Sequence, residues 1–495
     1  MKRVPSFFLP VIAVDRRAPQ SLHRQIYAAL RAAIVDGRLR PGQRIPSTRV
    51  LASEIGVSRL TVLNAYAQLL AEGYLQSRVG AGTVVSDALP EQLASHLGTK
   101  VPPVRSGPRA VANRCSGLPR REDFPWLAHH GPFRVGEVAF DQFPIQIWSA
   151  LVARRSRSTS LQSAHYGDLL GHKGLRQAIA DYLKIARSVR CEPEQVLIVN
   201  GSQQALDLTV RVLLNSGDSV WIEDPSYRLA RDVFTLNGGR LVPLPVDREG
   251  LDVAAGIRAC PKARAAFVTP SHQFPMGVTM SASRRMQLLE WAQNSGAWII
   301  EDDYDSEYRY ESQPIGALQG LDTNSRVIYI GTFSKVLFPA LRLGYLIVPP
   351  DLVDRFLIMR RVMDLGQPTS IQEVLAEFIG EGHFARHIRR MREHYGELRH
   401  CLAYNLHAAF GHILQPLGDQ AGMHLTVRLP EGYQDETISR MGLRHNLSLW
   451  PLSRLYMGQP HHGLILGFGG CSVRGIPPAV RQLKTLLAAK PYRAV

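Results

Sequence analysis

Apolar positions follow two different patterns along the chain. Up to about residue 86 they recur at helical spacing in short segments separated by turn residues. Beyond about residue 125, helical segments alternate with short runs of consecutive apolar residues, as in parallel sheets that helices cover on both faces. The two patterns predict a small, mainly helical N-terminal domain and a larger α/β domain with a mostly parallel sheet. The apolar runs occupy residues 195–200, 219–224, 265–270, 297–302, 326–331 and 344–349.

The N-terminal segments carry the signals of a winged helix-turn-helix. The first predicted helix has one apolar face, formed by Leu22, Ile26, Ala29, Leu30 and Ala33. Ser47 and Ser58 stand where helix N-caps are expected, and Gly56 makes the turn between the second and third helices. Two short helices joined by such a turn form a helix-turn-helix. The segments 74–78 and 83–86, with a tight Gly-Ala-Gly turn between them, predict two strands that add a wing.

The third helix is the predicted DNA-reading element, because the N-terminal residues of the second helix in such a pair point at base edges in the major groove. The predicted base contacts are Ser58, Arg59, Thr61 and Asn64. Arg59 can form two hydrogen bonds to guanine, which discriminate by about 1–3 kcal/mol. Contacts to phosphates and to the minor groove are predicted for Arg49, Arg78 and Gly80. The alternative is a protein-binding winged helix whose arginines are only solvated.

The distribution of charge favours the DNA-binding interpretation. Residues 1–86 contain twelve Lys and Arg against four Asp and Glu, a net charge of +8 out of +16 for the whole chain. Positive charge concentrated in one domain is typical of nucleic-acid binding. The five cysteines are scattered without a CxxC pair, so neither a disulfide framework nor a metal site is predicted, and a cytoplasmic location is favoured. No secretory signal and no membrane-spanning run is predicted.

A lysine in the larger domain stands where reactive chemistry is expected. Lys335 follows the apolar run at 326–331 and is flanked by Thr332 and Ser334. A partly desolvated lysine has a lowered pKa and can form an imine with an aldehyde cofactor. Thr332, Ser334 and Arg342 offer hydroxyl and guanidinium contacts to a phosphate group. One such lysine is a weak signal by itself, because most lysines lie on the surface.

Three further segments strengthen that signal. Asp302 ends a buried run, where a carboxylate can keep the ring nitrogen of a heteroaromatic cofactor protonated, and Tyr304 can bond the ring hydroxyl. Ser202 and Gln203 begin a predicted helix whose first N–H groups can hold a phosphate. Tyr227 follows the next run and can stack on the ring. Other acids of the segment are interpreted as solvating the strand end, namely Glu301, Asp303 and Asp305.

These segments together carry a family resemblance. Residues 45–85 resemble the winged helix-turn-helix of the GntR family. From about residue 140 to residue 495, the order of phosphate turn, stacking tyrosine, aspartate and lysine resembles fold-type-I aminotransferases. The combination resembles the MocR subfamily of GntR regulators, as do TPSHQFPMG at 269–277 and EDDYDSEYRY at 301–310 in particular.

The resemblance implies a cofactor and an assembly. It implies pyridoxal 5'-phosphate, with Lys335 as the imine lysine, Asp302 at the ring nitrogen, Tyr304 at the ring hydroxyl and Tyr227 stacked on the ring. It places around the phosphate Ser202, Gln203, Thr332, Ser334 and Arg342. It also implies a homodimer, arranged head-to-tail, that binds a double-stranded DNA operator.

Departures from the families bear on the ligand. Leu60 stands where GntR proteins often carry a polar residue, which can alter the bases that are read. Phe274 stands where working aminotransferases usually have Asn, and Ile465 where they have the Arg that grips the substrate carboxylate. Arg454 or Arg474 is the candidate substitute for that Arg. An amino-acid effector is therefore in doubt, and pyridoxal phosphate itself can be the signal.

The domain prediction is a winged helix-turn-helix at 1–86, a Pro-containing linker at 87–124, and an aminotransferase-like domain at 125–495 with a smaller C-terminal α+β subdomain. The favoured function is a transcription regulator at the nucleoid that senses pyridoxal phosphate or an amine through imine chemistry at Lys335. Its enzymatic activity is at most vestigial or a half-reaction. The alternatives are an active aminotransferase with an attached DNA-binding domain, and a dimerisation scaffold without working chemistry.

Overall fold

A computed structural model describes residues 12–78, 82–88, 112–116, 125–158, 165–310, 315–414, 416–418 and 420–488. The chain divides into two compact units, residues 1–110 and 111–495. Most of the predicted linker lies outside the described residues, as does Gly80 of the predicted wing.

The first unit is a three-helix domain with a two-stranded hairpin, as the sequence predicts. Its elements are α1 (Leu22–Val35), α2 (Thr48–Glu54), α3 (Arg59–Ala71), β1 (Leu75–Arg78) and β2 (Gly82–Val85). The Ser47 hydroxyl accepts a hydrogen bond from the Val50 amide at 3.3 Å, and the Ser58 hydroxyl accepts one from the Thr61 amide at 3.1 Å. Both predicted N-caps are therefore formed. Gly56 between α2 and α3 has φ +67°, which favours glycine.

The second unit contains the larger set of elements. Its helices are α4 (Asn113–Ser116), α5 (Pro125–Ala128), α6 (Ile145–Arg157), α7 (Lys173–Arg187), α8 (Ser202–Leu213), α9 (Arg228–Leu236), α10 (Val253–Ala259), α11 (Ala282–Ser295), α12 (Leu318–Leu321), α13 (Val353–Met363), α14 (Ser370–Gly380), α15 (His383–Phe410), α16 (Asp435–Arg444) and α17 (Ile476–Ala488). Its strands are β3 (Val196–Val199), β4 (Ser219–Asp224), β5 (Arg240–Asp247), β6 (Gly250–Leu251), β7 (Ala265–Val268), β8 (Trp298–Asp303), β9 (Val327–Thr332), β10 (Gly344–Ile347), β11 (Pro416–Leu417), β12 (His424–Arg428), β13 (Trp450–Pro451) and β14 (Gly463–Gly467).

Eight of these strands form one sheet in the order β3-β10-β9-β8-β7-β4-β5-β6. The five strands from β9 to β5 in that order run parallel, whereas β10 is antiparallel to both of its neighbours. Every residue of β3, β7 and β9 is buried, which explains the uninterrupted apolar runs in the sequence. The predicted mostly parallel sheet is confirmed.

The carboxyl ends of the parallel strands gather the chemistry of this unit. Asp302 lies near the end of β8, Lys335 lies in the turn after β9, and Tyr227 follows β4. Because parallel strands end at the same edge of a sheet, residues far apart in sequence meet there. The N-terminus of α8 opens at the same edge, after β3.

A smaller sheet completes the second unit, with the antiparallel order β11-β12-β14-β13. The long helix α15 and the C-terminal helix α17 pack together beside it through buried side chains such as Leu402 and Leu483. This sheet is the predicted smaller subdomain. Within the described part of the chain, no helix is long and apolar enough to cross a membrane.

Candidate cofactor site

A cavity of about 380 Å³ lies at the carboxyl edge of the large sheet. It brings together every cofactor contact predicted from the sequence: Ser202, Gln203, Tyr227, Asp302, Tyr304, Thr332, Ser334, Lys335 and Arg342. A larger hollow of about 700 Å³ lies at the surface between α10 and α11, lined by residues such as Lys262 and Glu290. That hollow is open and gathers no such set of groups, so the smaller cavity is the candidate site.

Lys335 projects its amine into this cavity. The Nζ atom donates a hydrogen bond to the carbonyl oxygen of Gly136 at 3.2 Å. A Cβ atom at Gly136 would lie 2.5 Å from Nζ, and Gly136 has φ +82°, a backbone conformation that favours glycine at this position beside the amine. Burial lowers the pKa of Lys335, while Asp305 and Asp302 act in the opposite direction. A larger share of the amine is therefore neutral and nucleophilic than in an exposed lysine.

Asp302 faces the cavity with an unsatisfied carboxylate. Its Oδ1 atom is buried and has no hydrogen-bond partner among the described residues. Burial raises the pKa of Asp302 to about 7, with smaller contributions from Asp303, Asp305 and Glu223. A buried polar atom without a partner is costly. The geometry therefore leaves an acceptor available for a ligand that donates a hydrogen bond or carries a positive charge.

The opposite end of the cavity is suited to an anion. Gly201 precedes α8 with φ +81°, and the first N–H groups of that helix, from Ser202 onward, open at the cavity. The Arg342 guanidinium donates to the Asn200 carbonyl at 2.8 Å, which fixes it beside this helix end. Thr332 and Ser334 add hydroxyl groups to the lining. Helix amides, hydroxyls and a guanidinium together form a suitable donor set for a phosphate group.

Aromatic side chains form the remaining walls. Tyr227 packs edge-on against Phe274 with ring centroids 5.9 Å apart, and Tyr304 packs against Phe274 at 6.2 Å. Trp450 also lines the cavity, and its Nε1 atom has no partner among the described residues. Gln203 donates to the Leu229 carbonyl at 3.0 Å. The side-chain amide of Gln203 is thus already engaged by the protein.

Sequence reasoning missed several lining residues. Gly136, Met423, His424 and Trp450 reach the cavity from segments without a recognisable motif, and Thr269 reaches it from the segment 269–277, where no contact was predicted for it. Only their position in the folded chain brings them to the sheet edge. Phe274 was noticed as a departure and does line the cavity.

The interpretation of the neighbouring acids as solvating groups was wrong. Glu301 is fully buried and accepts hydrogen bonds from the amides of Leu318 and Gln319 at 2.8 and 2.9 Å. Asp303 forms a buried ion pair with Arg187 at 2.8 Å. Asp305 is also buried. Glu301 and Asp303 are structural because each one is paired inside the protein instead of facing water, whereas Asp305 lines the cavity.

The two candidate substitutes for the missing carboxylate-binding arginine lie elsewhere. Arg454 forms an ion pair with Glu436 at 2.8 Å, and Arg474 is exposed. Neither is among the described residues that line the cavity. Ile465 is fully buried in an apolar cluster that includes Phe274. The described wall on this side is therefore apolar.

The first unit presents its predicted DNA contacts on α2 and α3. Arg49, Arg59 and Asn64 are exposed, and the Arg59 Nε atom lies 3.5 Å from the Thr48 hydroxyl oxygen. The Ser58 and Thr61 hydroxyls lie 2.7 Å apart, which ties both to the helix cap. Of the two further predicted contacts, Arg78 lies in β1 and Gly80 is outside the described residues.

Comparison with known proteins extends over both units. The family of bacterial regulatory proteins called gntR matches residues 22–85, and the family of class I and II aminotransferases matches residues 132–452. The chain is 39% identical over 482 residues to the probable rhizopine catabolism regulatory protein MocR of Rhizobium meliloti, covering 97% of this chain and 96% of that protein. It is 32% identical over 462 residues to the pyridoxine biosynthesis transcriptional regulator PdxR of Corynebacterium glutamicum, covering 92% and 94%.

A solved structure matches the second unit. It is LysN of Thermus thermophilus, an alpha-aminoadipate aminotransferase complexed with N-(5'-phosphopyridoxyl)-L-leucine. It is 29% identical, with a TM-score of 0.67 that covers 72% of this chain and 91% of that chain. The fold of the second unit is therefore that of the class I and II aminotransferases.

A winged helix-turn-helix joined to an aminotransferase fold defines a class of DNA-binding transcription regulators. The similarity to MocR and PdxR extends over nearly the whole chain and includes both units. The chain belongs to the MocR subfamily of the GntR family of transcription regulators. These relatives confirm the predicted function of a transcription regulator and favour it over an aminotransferase with an attached DNA-binding domain.

Proposed function

We propose that this regulator binds pyridoxal 5'-phosphate through Lys335 and couples the state of that bond to its affinity for DNA. The observation that carries the proposal is the convergence, in one cavity, of a buried amine, an unsatisfied carboxylate and a phosphate-type donor set. When bound, pyridoxal phosphate supplies an aldehyde that condenses reversibly with a primary amine.

Each side chain then has a defined task. Asp302 holds the proton of the ring nitrogen through its free Oδ1 atom. Arg342 and the first amides of α8 hold the phosphate group, together with the hydroxyls of Thr332 and Ser334. Tyr227 supports the ring face. These contacts orient the aldehyde toward the Lys335 amine, whose lowered pKa favours the reactive neutral form.

The apolar side of the cavity bears on what is sensed. Val135, Phe274 and Trp450 line it, and Ile465 is buried behind them. These side chains exclude water from the amine and offer no positive charge to a carboxylate. The effector is either the cofactor itself or an amine that displaces the Lys335 amine from it.

Regulation follows if the ligated and unligated forms of the second unit differ in shape. We propose a head-to-tail homodimer, in which a ligand that binds one shape more tightly shifts the population of both DNA-binding heads. The partner would be a double-stranded operator with two half-sites. A DNA partner would place the protein at the nucleoid, in the cytoplasm.

The test is chemical trapping of the cofactor on the protein. Protein mixed with pyridoxal phosphate should turn yellow, and reduction with borohydride should leave the cofactor mass on the peptide that contains Lys335. Lys335→Ala should lose both signals, because the condensing amine is gone. Lys262→Ala, which removes an exposed lysine far from the cavity, should keep both. Equal labelling of the Lys335→Ala protein would contradict the proposal.

Turnover assays separate sensing from catalysis. With an amino donor and a keto acid, we expect at most a single half-reaction and no sustained transfer, because no arginine lines the described apolar wall. Multiple turnovers would show an active aminotransferase instead.

A further inference from the structure

A buried cluster adjoins the cavity and consists of residues that the proposed function does not use. His272 follows β7, Asp305 follows β8, and His424 begins β12. Each of the three is no more than 3% exposed. Tyr304 joins this cluster to the cavity, because its ring lines the cavity while its hydroxyl contacts His272.

The contacts of His272 all fall on one ring nitrogen. Its Nδ1 atom lies 3.1 Å from both carboxylate oxygens of Asp305 and 2.9 Å from the Tyr304 hydroxyl oxygen. Its Nε2 atom is buried and has no partner among the described residues. The second imidazole, His424, donates through Nε2 to the Pro275 carbonyl at 3.1 Å.

This asymmetry fixes the proton of His272. An N–H at Nε2 would be a buried donor without an acceptor, which is costly. An N–H at Nδ1 has acceptors in the carboxylate oxygens of Asp305, both at 3.1 Å. The proton therefore belongs on Nδ1, in the neutral ring as well as in the charged ring.

The position of that proton determines what the Tyr304 hydroxyl can do. A protonated Nδ1 has no lone pair in the ring plane, so the Tyr304 hydroxyl cannot donate to it. Toward this nitrogen the Tyr304 oxygen can act only as an acceptor. The hydroxyl hydrogen of Tyr304 is then left to point into the cavity. No residue of the cavity accepts it among the described hydrogen bonds.

We infer that His272 and Asp305 are positioning residues that hold Tyr304 as a hydrogen-bond donor toward the ring oxygen of the cofactor. The inference rests on the proposed cofactor at Lys335. Phe274 offers no second donor on this side of the ring. Tyr304 is therefore the main donor from the described residues to that oxygen, and the imidazole sets its direction.

Such a donor has a measurable effect on the Lys335 nitrogen. With the cofactor bound, Tyr304 would donate to the negative ring oxygen and would weaken the attraction by which that oxygen keeps a proton on the Lys335 nitrogen. Loss of the donor should raise the pH at which the yellow colour disappears. The charged groups that face the nitrogen are Asp302, Asp305 and Arg134, with His424 beyond them. None of these four groups is itself substituted when only His272 is changed, and both amide variants remove the same imidazole ring from beside Asp305.

Two amide variants of His272 form a matched pair. His272→Asn places its amide near the position of Nδ1, whereas His272→Gln places its amide near the position of Nε2. We expect His272→Asn to keep the wild-type midpoint of the colour change. We expect His272→Gln to raise it by about one pH unit, a tenfold change in proton affinity. Tyr304→Phe should raise the midpoint similarly, and His272→Gln should add nothing to a Tyr304→Phe protein.

Three results would overturn this inference while leaving the bond at Lys335 intact. The first is an unchanged midpoint in His272→Gln when Tyr304→Phe shifts it. The second is an equal shift in both amide variants, which would indicate loss of an imidazole charge. The third is one equivalent of tightly bound zinc or iron in the purified protein, because a metal on Nδ1 leaves no proton there. The potential ligand atoms of His272, Asp305 and His424 lie within 4.8 Å of one another.

Failure of the cofactor proposal has a different signature. A wild-type protein without a reducible bond at Lys335 has no colour change to measure. Thermal unfolding of each variant shows whether the buried cluster still folds. If His272→Gln does not fold, the comparison of His272→Asn with Tyr304→Phe still tests the inference, since only the second should shift the midpoint.

Discussion

At the scale of single residues, the acid at the ring nitrogen gives a prediction about stability. Burial raises the pKa of Asp302 from 3.8 to about 7. Without cofactor, the folded protein therefore keeps a proton that the unfolded chain releases at lower pH. The folded state binds more protons between about pH 4 and pH 7, so its free energy of unfolding falls as pH rises through this window. Above about pH 7, the contribution of Asp302 to the free energy of unfolding no longer changes with pH.

Asp302→Asn removes that penalty. At pH 8 we expect the cofactor-free variant to unfold at a higher temperature than the wild type, by at least about 1 kcal/mol in stability, and the difference to shrink toward pH 4. With pyridoxal phosphate the order should reverse, because only the wild type regains a charged partner. Thermal unfolding with and without cofactor measures both. A wild-type protein that is more stable than the variant in the cofactor-free state at pH 8 would contradict this account.

The sequence located residues of this site only where they belong to a recognisable pattern. Asp302 ends an apolar run and Lys335 closely follows another, so the sheet topology alone predicts that they meet. His424 and Gly136 carry no such mark, and they reach the amine because strands and turns far away in the sequence fold over it. Asp303 was misjudged because its partner, Arg187, lies on a distant helix. The pairing of buried charges depends on tertiary packing, which a local pattern does not contain.

At the scale of elements, helix α3 carries the prediction about DNA recognition. Arg59→Ala should reduce the preference for the operator over other sequences by about 1–3 kcal/mol, because the side chain is predicted to bond a guanine. Arg49→Ala is the matched control, since a phosphate contact should weaken binding to all sequences alike. Competition binding with operator and scrambled duplexes separates the two. Equal loss on both duplexes for Arg59→Ala would remove this residue from base recognition.

The elements themselves were the most predictable part of the fold. Capping serines, glycine turns and apolar periodicity are local signals, and α2, α3, β8 and β9 follow them closely. The small antiparallel sheet was predicted only through the family resemblance. Its strands β11 and β13 have two residues each, which is too short for a period to be recognised.

At the scale of the whole molecule, a dimer with two heads predicts a particular response to salt. Binding to DNA releases counterions in proportion to the phosphates contacted. The full-length protein should therefore show about twice the slope of log affinity against log salt on an operator with two half-sites as on one with a single half-site. Fluorescence anisotropy over a range of salt concentrations gives both slopes. Equal slopes would mean that one head binds at a time.

The contacts of His272 also include a glycine, Gly422, in the turn before β12. A Cβ atom at Gly422 would lie 2.0 Å from the imidazole Cε1 atom, so the backbone before β12 rests directly on the ring. An effector that tilts the smaller sheet would displace the His272 ring. It would thereby turn the Tyr304 side chain, whose hydroxyl contacts His272. The absorbance spectrum of the bound cofactor would then report the conformational change of the regulator, and a spectrophotometer would follow it without any added label.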